Sequence, residues 1–364
     1  MLWPSSGSDT FSAMMVSRSN FVNWVMMSNE CAVLTFPTSR KNVIRYKKGK
    51  SMRKLLSASF LSLALLSCAP SSDEANAKSD PVKTVENVEK VEQKSADPAL
   101  WVVRDDDTVV YLFGTVHVLK PDMEWQTEKF KNAFNKADVI YQEADLSPEI
   151  QQAVGAVLPG LAFYSDGRTL RDVLDDADEK EVKEAADIVG LDMLAVDRMK
   201  PWFAAIGLTQ MQMVKAGYQA DKGVEMVITE QAKLEDKPLR FLETAEWQLR
   251  MMAGLPEESQ VEFLVAGAEA IEDSPEMLDE LVEDWFTGDV DGIADLMSDE
   301  DAMGDEIVYD AMLTKRNRNW TREIQKLMDA EEGTFLFAVG AAHLAGEDSV
   351  INMLRDQGET VVRQ

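Results

Sequence analysis

Short β-branched and aromatic runs, separated by long stretches with helical periodicity, most constrain how this chain can fold. The segment ALWVVRDDDTVVYLFGTVH, residues 99–117, predicts a β-hairpin with the aspartates 105–107 in its turn. An amphipathic helix over 124–137 and a short strand over 138–147 are expected next. A strand followed by a helix and another strand favours a parallel crossover connection.

From about 148 to 330 the helical period dominates, and a short strand over 238–243 interrupts it. A buried strand over 334–340, a helix over 347–358 and a short closing strand follow. The sequence therefore predicts an α/β fold: a mixed, largely parallel sheet flanked by helices, with a helix-rich central insertion. Within the insertion, helices are expected over 178–190, 201–216, 222–234, 245–253, 258–271, 275–287 and 305–330.

The N-terminal part predicts targeting and tethering segments, not a folded domain. Residues 1–51 lack a regular apolar period and are expected to be an over-extended N-terminus with no fold. Residues 52–68 join a basic start to an apolar run of about a dozen residues, which is typical of a signal peptide and too short to span a bilayer. Residues 69–97 are polar and acidic and predict a flexible tether, so the folded domain is expected over 98–364.

The signal peptide ends in LLSC, which resembles the bacterial lipobox and makes Cys68 the expected site of lipid attachment. Ordinary cleavage after Ala75-Asn76-Ala77 is the alternative. Ala69, rather than aspartate, follows the cysteine, which favours the outer membrane by analogy with lipoprotein sorting. The expected location is therefore the periplasm, with a lipid anchor as the only link to the membrane.

Charge and residue usage exclude several classes of function. A net charge of -28 argues against nucleic acid as a partner and against electrostatic docking on anionic lipid. Both cysteines lie in the N-terminal part, so no thiol nucleophile remains in the expected domain. The motifs H-E-x-x-H, G-x-S-x-G and G-x-G-x-x-G and a phosphate-binding loop are absent from the sequence.

The two histidines of the chain occur in matched settings, each after an apolar run that ends in G-x-x-H. His117 follows Gly114, His343 follows Gly340, and Glu143 lies at the end of another expected strand. If these strands are parallel, their carboxyl ends meet at one edge of the sheet, where open α/β sheets bind ligands. The two glycines would let the backbone turn tightly and approach a bound cofactor closely.

Two imidazoles and one carboxylate predict a divalent-metal site, with His117, His343 and Glu143 as ligands and Mn, Co or Zn as the ion. Three protein ligands leave a position for water, which such an ion activates as a nucleophile. Glu143 has an alternative role as the general base. For each histidine the alternative is structural, as a satisfied polar group at the end of a strand.

A second candidate is KRNRNW over 315–320, the one concentrated basic spot in an acidic domain. Arg316 in this segment could clamp a carboxylate or stabilise an oxyanion. The alternative is a surface helix whose basic residues pair with nearby acids.

Six segments, taken in order, match a known pattern: LFGTVH, ADVIYQEADLS, KPWFAAIGL, LETAEWQL, RNRNW and FAVGAAHLAGEDSV. As a set they resemble the TraB/PrgY/GumN family, which includes the TIKI proteins, over nearly all of the expected domain. The resemblance implies a single α/β domain with a helical insertion and two essential G-x-x-H motifs. One departure is Glu225 in KGVEMVI, where the family more often has aspartate, and Glu225 is left out of the predicted site.

The resemblance also implies roles for the site residues. The family's histidines fall on His117 and His343, its acid on Glu143, and its Arg-Asn pair on Arg316 and Asn317. In the TIKI branch the activity is divalent-metal-dependent proteolysis. The expected function is therefore metal-dependent hydrolysis of a peptide, with Arg316 at the oxyanion and Asn317 orienting substrate or ligand. The alternatives are a regulatory lipoprotein that binds a peptide or small ligand without turnover, and a catalytically dead scaffold.

Overall fold

The structure, a computed structural model, describes residues 95–297 and 305–364. The segments expected over 1–51 and 52–68, and all but the last residues of the tether over 69–97, lie outside the described residues. No helix within the described ranges combines the length and apolarity needed to cross a membrane.

The described residues contain one mixed sheet. Its strands are β1 (Leu100–Arg104), β2 (Thr108–Thr115), β3 (Val139–Ala144), β4 (Leu239–Glu243), β5 (Gly333–Gly340) and β6 (Val362–Arg363). The spatial order is β4-β3-β5-β2-β1-β6. Strands β2, β3, β4 and β5 run parallel, whereas β1 pairs antiparallel with β2, as the predicted hairpin, and with β6. The predicted fold class is therefore confirmed.

Most helices lie between β3 and β5, which confirms the helix-rich insertion. The helices are α1 (Glu128–Lys136), α2 (Pro148–Ala162), α3 (Asp176–Val189), α4 (Met193–Val196), α5 (Pro201–Lys215), α6 (Val224–Leu234), α7 (Ala245–Ala253), α8 (Glu257–Ala270), α9 (Ser274–Thr287), α10 (Val290–Met297), α11 (Glu306–Tyr309), α12 (Lys315–Ala330) and α13 (Val350–Asp356). The single helix expected over 305–330 is divided, because a π-helical turn, Asp310–Thr314, separates α11 from α12.

Local capping chemistry explains where several helices begin and end. The side chain of Thr127 accepts a hydrogen bond from the backbone N–H of Phe130 and starts α1. The carboxylate of Asp175 accepts two backbone N–H groups at the start of α3. Gly190, in the left-handed conformation with φ 84°, ends the same helix.

Side chains that alternate along the sheet pack against helices on both faces. Leu112 of β2 lies in a buried cluster with Trp320 of α12 and Phe337 of β5. The next residue, Phe113, projects from the opposite face and contacts Phe130 of α1, with ring centroids 4.7 Å apart. This two-sided packing holds the parallel strands in place and leaves their carboxyl ends as one edge on which loops can carry functional side chains.

Candidate active site

The four parallel strands bring charged or ionisable side chains to the same edge of the sheet. Glu143 is the penultimate residue of β3, and Glu243 is the last residue of β4. His117 lies two residues beyond β2, and His343 lies in a short 3-10 turn directly after β5. The sequence predicts that the two histidines and Glu143 lie close together, and in the structure they do.

Gly340 marks the point that these side chains share. A methyl group on Gly340 would lie 3.1 Å from Oε1 of Glu143, 3.5 Å from Cδ2 of His343 and 3.7 Å from Nε2 of His117. The backbone N–H of Gly340 also donates a 2.8 Å hydrogen bond to Oε1 of Glu143. The structure therefore brings the three predicted metal ligands together around a position where a methyl group would be crowded.

Gly114, the glycine of the first motif, is in contact with the second motif. A methyl group on Gly114 would lie 3.1 Å from Cα and 3.2 Å from Cβ of Ala341. The carbonyl oxygen of Gly114 accepts a 2.8 Å hydrogen bond from Nε1 of Trp285. The absence of a side chain lets β2 lie close to the turn that carries His343, while the expected contact between Gly114 and a cofactor stays a prediction.

Arg316 is buried at the centre of the site, with 2% of its surface exposed. Its Nε donates to Oε1 of Glu243 at 3.0 Å, and its Nη2 donates to Oε2 of Glu243 at 2.9 Å and to Oε2 of Glu143 at 2.5 Å. Its Nη1 donates to the carbonyl of Met312 at 3.2 Å and faces Nε2 of His343 at 3.1 Å. The surface-helix alternative is therefore wrong for Arg316, whose five N–H groups all meet an acceptor in a carboxylate clamp.

Helical periodicity explains which residues of KRNRNW enter the site. Arg316, Asn317 and Trp320 lie on the buried face of α12, whereas the side chain of Arg318 is 62% exposed. The π-helical turn immediately before α12 is a departure from regular helix of the kind often found at functional sites.

Asn317 fixes the ring of His343. Its Nδ2 donates to the carbonyl of Asp348 at 2.7 Å, so its Oδ1 is the atom that faces Nδ1 of His343 at 2.5 Å. Nδ1 of His343 therefore carries the hydrogen, and Nε2 keeps its lone pair. Trp320 packs on the ring, with centroids 4.2 Å apart. Burial, reinforced by the charge of Arg316, lowers the pKa of His343 to about 3, so the ring is neutral.

His117 is held by Glu225 of α6, and its side chain is 18% exposed, more than the other ionisable groups of the site. Nδ1 of His117 lies 2.8 Å from Oε1 of Glu225, which also accepts a hydrogen bond from the hydroxyl of Thr115. Burial opposes a positive charge on His117, but the carboxylate of Glu225 outweighs burial and raises the pKa of His117 to about 9. This part of the site therefore stabilises a positive charge at the ring.

Glu143 is ionised although it is buried. Burial alone would raise the pKa of Glu143, but the charges of Arg316 and His117 and the hydrogen bond from Gly340 outweigh burial and hold this pKa well below its usual range. The carboxylate accepts hydrogen bonds from Gly340 and Arg316. Glu143 thus enters any reaction as a carboxylate that is fixed on two sides.

Glu225 and Glu243 are the site acids that the sequence analysis did not assign. Glu243 accepts hydrogen bonds from Arg316, from Nε1 of Trp320 at 2.9 Å and from Nε2 of Gln248 at 2.9 Å. Glu243 and Gln248 both belong to the segment LETAEWQL, so the family pattern already contained them. Glu225, left out of the predicted site because it departs from aspartate, lies in the structure 2.8 Å from Nδ1 of His117.

Charge and donor chemistry in the site fit a divalent cation. Three carboxylates whose side chains are at most 10% exposed, those of Glu143, Glu225 and Glu243, lie in the site, and its one guanidinium pairs with two of them, Glu143 and Glu243. Oε2 of Glu225 is buried and has no hydrogen-bond partner among the described residues, which is costly unless a cation or water satisfies it. Nε2 of His117 faces the point beside Gly340, and Nε2 of His343 lies 3.8 Å from Oε1 of Glu143.

One contact opposes a cation in the arrangement described. Nη1 of Arg316 donates to Nε2 of His343, which is the lone pair that an ion would need. In keeping with this contact, no group of three or more His, Cys, Asp or Glu side chains in the described part of the chain is placed to hold a metal ion. The residues therefore fit a divalent ion in chemistry and charge, provided that Arg316 turns away from His343 and that His117 loses its extra proton.

The fold and the site define a class of α/β proteins in which two G-x-x-H histidines lie at one edge of the sheet. Comparison with known families identifies this class. The model of the TraB/PrgY/gumN family matches residues 99–363, and the chain belongs to this family. The resemblance stated from the sequence segments is confirmed.

Curated relatives are distant. The chain is 23% identical to the uncharacterized protein YbaP of Escherichia coli over 258 residues, which cover 71% of this chain and 92% of YbaP. It is 23% identical to metalloprotease TIKI1 of Xenopus tropicalis over 360 residues, which cover 84% of this chain and 67% of TIKI1. A metalloprotease TIKI homolog of Amphimedon queenslandica is 37% identical over 70 residues, 19% of this chain and 13% of that protein. No solved structure gives a significant match.

Proposed function

We propose that this protein is a divalent-metal-dependent hydrolase that cleaves peptide bonds. The observation that carries the proposal is the meeting of His117, His343 and Glu143 around Gly340. Membership of the TraB/PrgY/gumN family and the similarity to proteins named as TIKI metalloproteases favour peptides as substrates and a divalent ion as the cofactor.

In this proposal His117 and His343 hold the ion through their Nε2 atoms, and His117, whose raised pKa keeps it protonated near neutral pH, gives up the Nε2 proton when the ion binds. Both rings are oriented for this task, because Nδ1 of His117 is bound to Glu225 and Nδ1 of His343 to Asn317. Held by these two rings, a divalent ion would supply a Lewis acid for a peptide carbonyl and would lower the pKa of a bound water.

Glu143 supplies either the third ligand or the general base. Its ionised carboxylate, with Oε1 kept at the shared point by the hydrogen bond from Gly340, suits the ligand role as it stands, whereas the general-base role requires release of the Arg316 contact that lowers its pKa. Arg316 acts in this scheme as a positioning residue, because all five of its N–H groups already meet acceptors. A role for Arg316 at an oxyanion requires release of one of these contacts.

The cellular location belongs to the proposal as well. The apolar run and LLSC motif of residues 52–68 support export, lipid attachment at Cys68 and anchoring to the outer membrane on the periplasmic side. Replacement of Cys68 by serine tests this part, since the variant should remain free of lipid and leave the membrane fraction. Membrane association that survives Cys68→Ser would contradict the lipid anchor.

A peptide-library experiment tests the activity. The purified protein is incubated with a mixed peptide library and Mn²⁺ or Co²⁺, and mass spectrometry identifies cut products. The proposal predicts metal-dependent cleavage that His117→Ala and His343→Ala each abolish. Equal cleavage by the wild type and both variants, or cleavage that persists after chelation, would overturn the proposal.

A second candidate function is capture of a peptide or small ligand in the same cleft without turnover. The contact between Arg316 and Nε2 of His343 favours it, because this contact occupies the lone pair that a catalytic ion needs. The same library experiment separates the two candidates. Intact peptide that is retained on the wild-type protein, with no cut products, would support binding without catalysis.

A further inference from the structure

The carboxylate of Glu225 is placed to decide which nitrogen of His117 faces the site. Its Oε1 lies 2.8 Å from Nδ1 of His117. An ionised carboxylate only accepts hydrogen bonds, so Nδ1 must carry the hydrogen in this contact. Nε2, the other ring nitrogen, is then the one directed at the point beside Gly340, 3.7 Å from the place of a methyl group there.

The contact between Glu225 and His117 depends on a close approach of the backbone at Gly223 to the backbone of His117. A methyl group on Gly223 would lie 2.0 Å from the carbonyl oxygen of His117, an overlap that no side chain tolerates. The next residue, Val224, donates its backbone N–H to the carbonyl of Val116 at 2.9 Å. The start of α6 is thereby joined to the loop that carries His117, and Glu225 comes to lie beside the imidazole.

Two further contacts and the helix dipole stabilise Glu225 in this position. Its Oε1 accepts the hydroxyl of Thr115, and its backbone carbonyl accepts Nε2 of Gln142 at 2.9 Å. Glu225 also lies in the first turn of α6, where the helix dipole stabilises a negative charge. The side chain of Glu225 is 8% exposed, so its contact with His117 is shielded from competing water.

We propose that Glu225 is the positioning residue of His117: it binds Nδ1–H and presents Nε2 to the site. The inference rests on the proposed function, because the orientation of Nε2 matters for activity only if His117 is a metal ligand. A carboxylate hydrogen-bonded to the far nitrogen of a ligating histidine is a recurrent arrangement, and its loss weakens metal binding by roughly 10–100-fold.

Three variants separate positioning from packing. Glu225→Met removes both oxygens while it keeps an unbranched side chain of similar length, and Glu225→Asp keeps the carboxylate. Glu230→Met is the matched control, because Glu230 is exposed on the same helix. The protein is the full chain, and the probes are the imidazole N–H signals in ¹H–¹⁵N NMR spectra and the affinity for Co²⁺ measured by titration calorimetry.

The chain contains two histidines, so the NMR spectrum is simple to assign with His343→Ala. The wild type should show a hydrogen-bonded Nδ1–H for His117, which Glu225→Met loses and which Glu225→Asp and Glu230→Met retain. Co²⁺ affinity should fall about 10–100-fold in Glu225→Met and recover in Glu225→Asp. An unchanged Nδ1–H signal in Glu225→Met would overturn the inference, as would unchanged Co²⁺ affinity in a wild type that binds the ion.

Failure of the proposed function gives a different result. A wild type that binds no Co²⁺ would remove the ligand role of His117, but the loss of its Nδ1–H signal in Glu225→Met would still establish that Glu225 positions the ring. The two hypotheses therefore fail separately.

Discussion

Nη2 of Arg316 donates a 2.5 Å hydrogen bond to Oε2 of Glu143, and both side chains are buried. This contact joins α12 to the end of β3 across 173 residues of sequence. It holds the carboxylate ionised and fixed, and it brings a guanidinium within reach of His343. The charge balance of the whole site depends on this pair.

Removal of the guanidinium should destabilise the fold. Arg316→Met leaves the carboxylates of Glu143 and Glu243 buried without their cationic partner, and we expect the free energy of unfolding to fall by about 3–5 kcal/mol. Urea denaturation measures the change. Arg318→Met, two residues further along the same helix and exposed, should change stability by no more than about 0.5 kcal/mol. Equal effects of the two substitutions would show that the clamp contributes little.

A methyl group at Gly340 should disturb the site. Gly340→Ala places a carbon 3.1 Å from Oε1 of Glu143, closer than an unstrained contact allows. Overpacking of this kind typically costs about 1–3 kcal/mol of stability, and peptide turnover should fall with it. In Gly155→Ala, within α2, nothing lies within 4 Å of the new methyl group, and this control should gain about 0.5–1 kcal/mol. A Gly340→Ala variant with full stability and turnover would show that the three ligands do not share this point.

A methyl group at Gly223 should displace α6 from the loop that carries His117. The new methyl group would overlap a backbone carbonyl oxygen, that of His117, so no side-chain rotation relieves the clash. We expect Gly223→Ala to lose about 3 kcal/mol of stability, at the upper end of overpacking costs, as measured by urea denaturation. Gly207→Ala, within α5 and with open space around it, is the control that should be stable.

Loss of the amide at position 317 should weaken metal binding. Asn317→Leu removes the acceptor that fixes Nδ1–H of His343, so the ring is free to turn away from the site. We expect Co²⁺ affinity to fall roughly 10–100-fold by titration calorimetry. Asn319→Leu removes an amide that contacts Arg322 outside the site and should leave the affinity unchanged. Similar affinities for the two variants would argue that Asn317 does not orient His343.

Local patterns in the sequence predict the sheet well. The β-branched run of β2 and the turn at aspartates 105–107 predict the hairpin, and β5 and the strand end at Glu143 agree with the expected ranges. Helices with weak local patterns were harder to place. The helix α2 contains Pro159 and two glycines, which are unfavourable inside a helix and hide its pattern. The π-helical turn Asp310–Thr314 lies within a stretch whose apolar period continues through it, so the sequence does not mark the turn.

Part of the site is predictable from rare residues, from expected strand ends and from the family pattern. His117 and His343 stand out because the chain contains two histidines, each preceded by a strand and a glycine. Glu225 and Glu243 do not stand out among 65 acidic residues, and their partners are distant in sequence. Their roles depend on tertiary contacts, with Glu243 joined to Arg316 across 73 residues and with Glu225 joined to His117 by the close approach at Gly223.

The most direct measurement of the central claim is a Co²⁺ titration of the wild type, His117→Ala, His343→Ala and the double variant. If both imidazoles hold one ion, the wild type should bind a single ion and each single variant should lose tight binding. The double variant should then bind no more weakly than either single variant, because residues that act on one ion are not additive. A single variant that still binds Co²⁺ with wild-type affinity, or independent additive losses, would contradict a shared site.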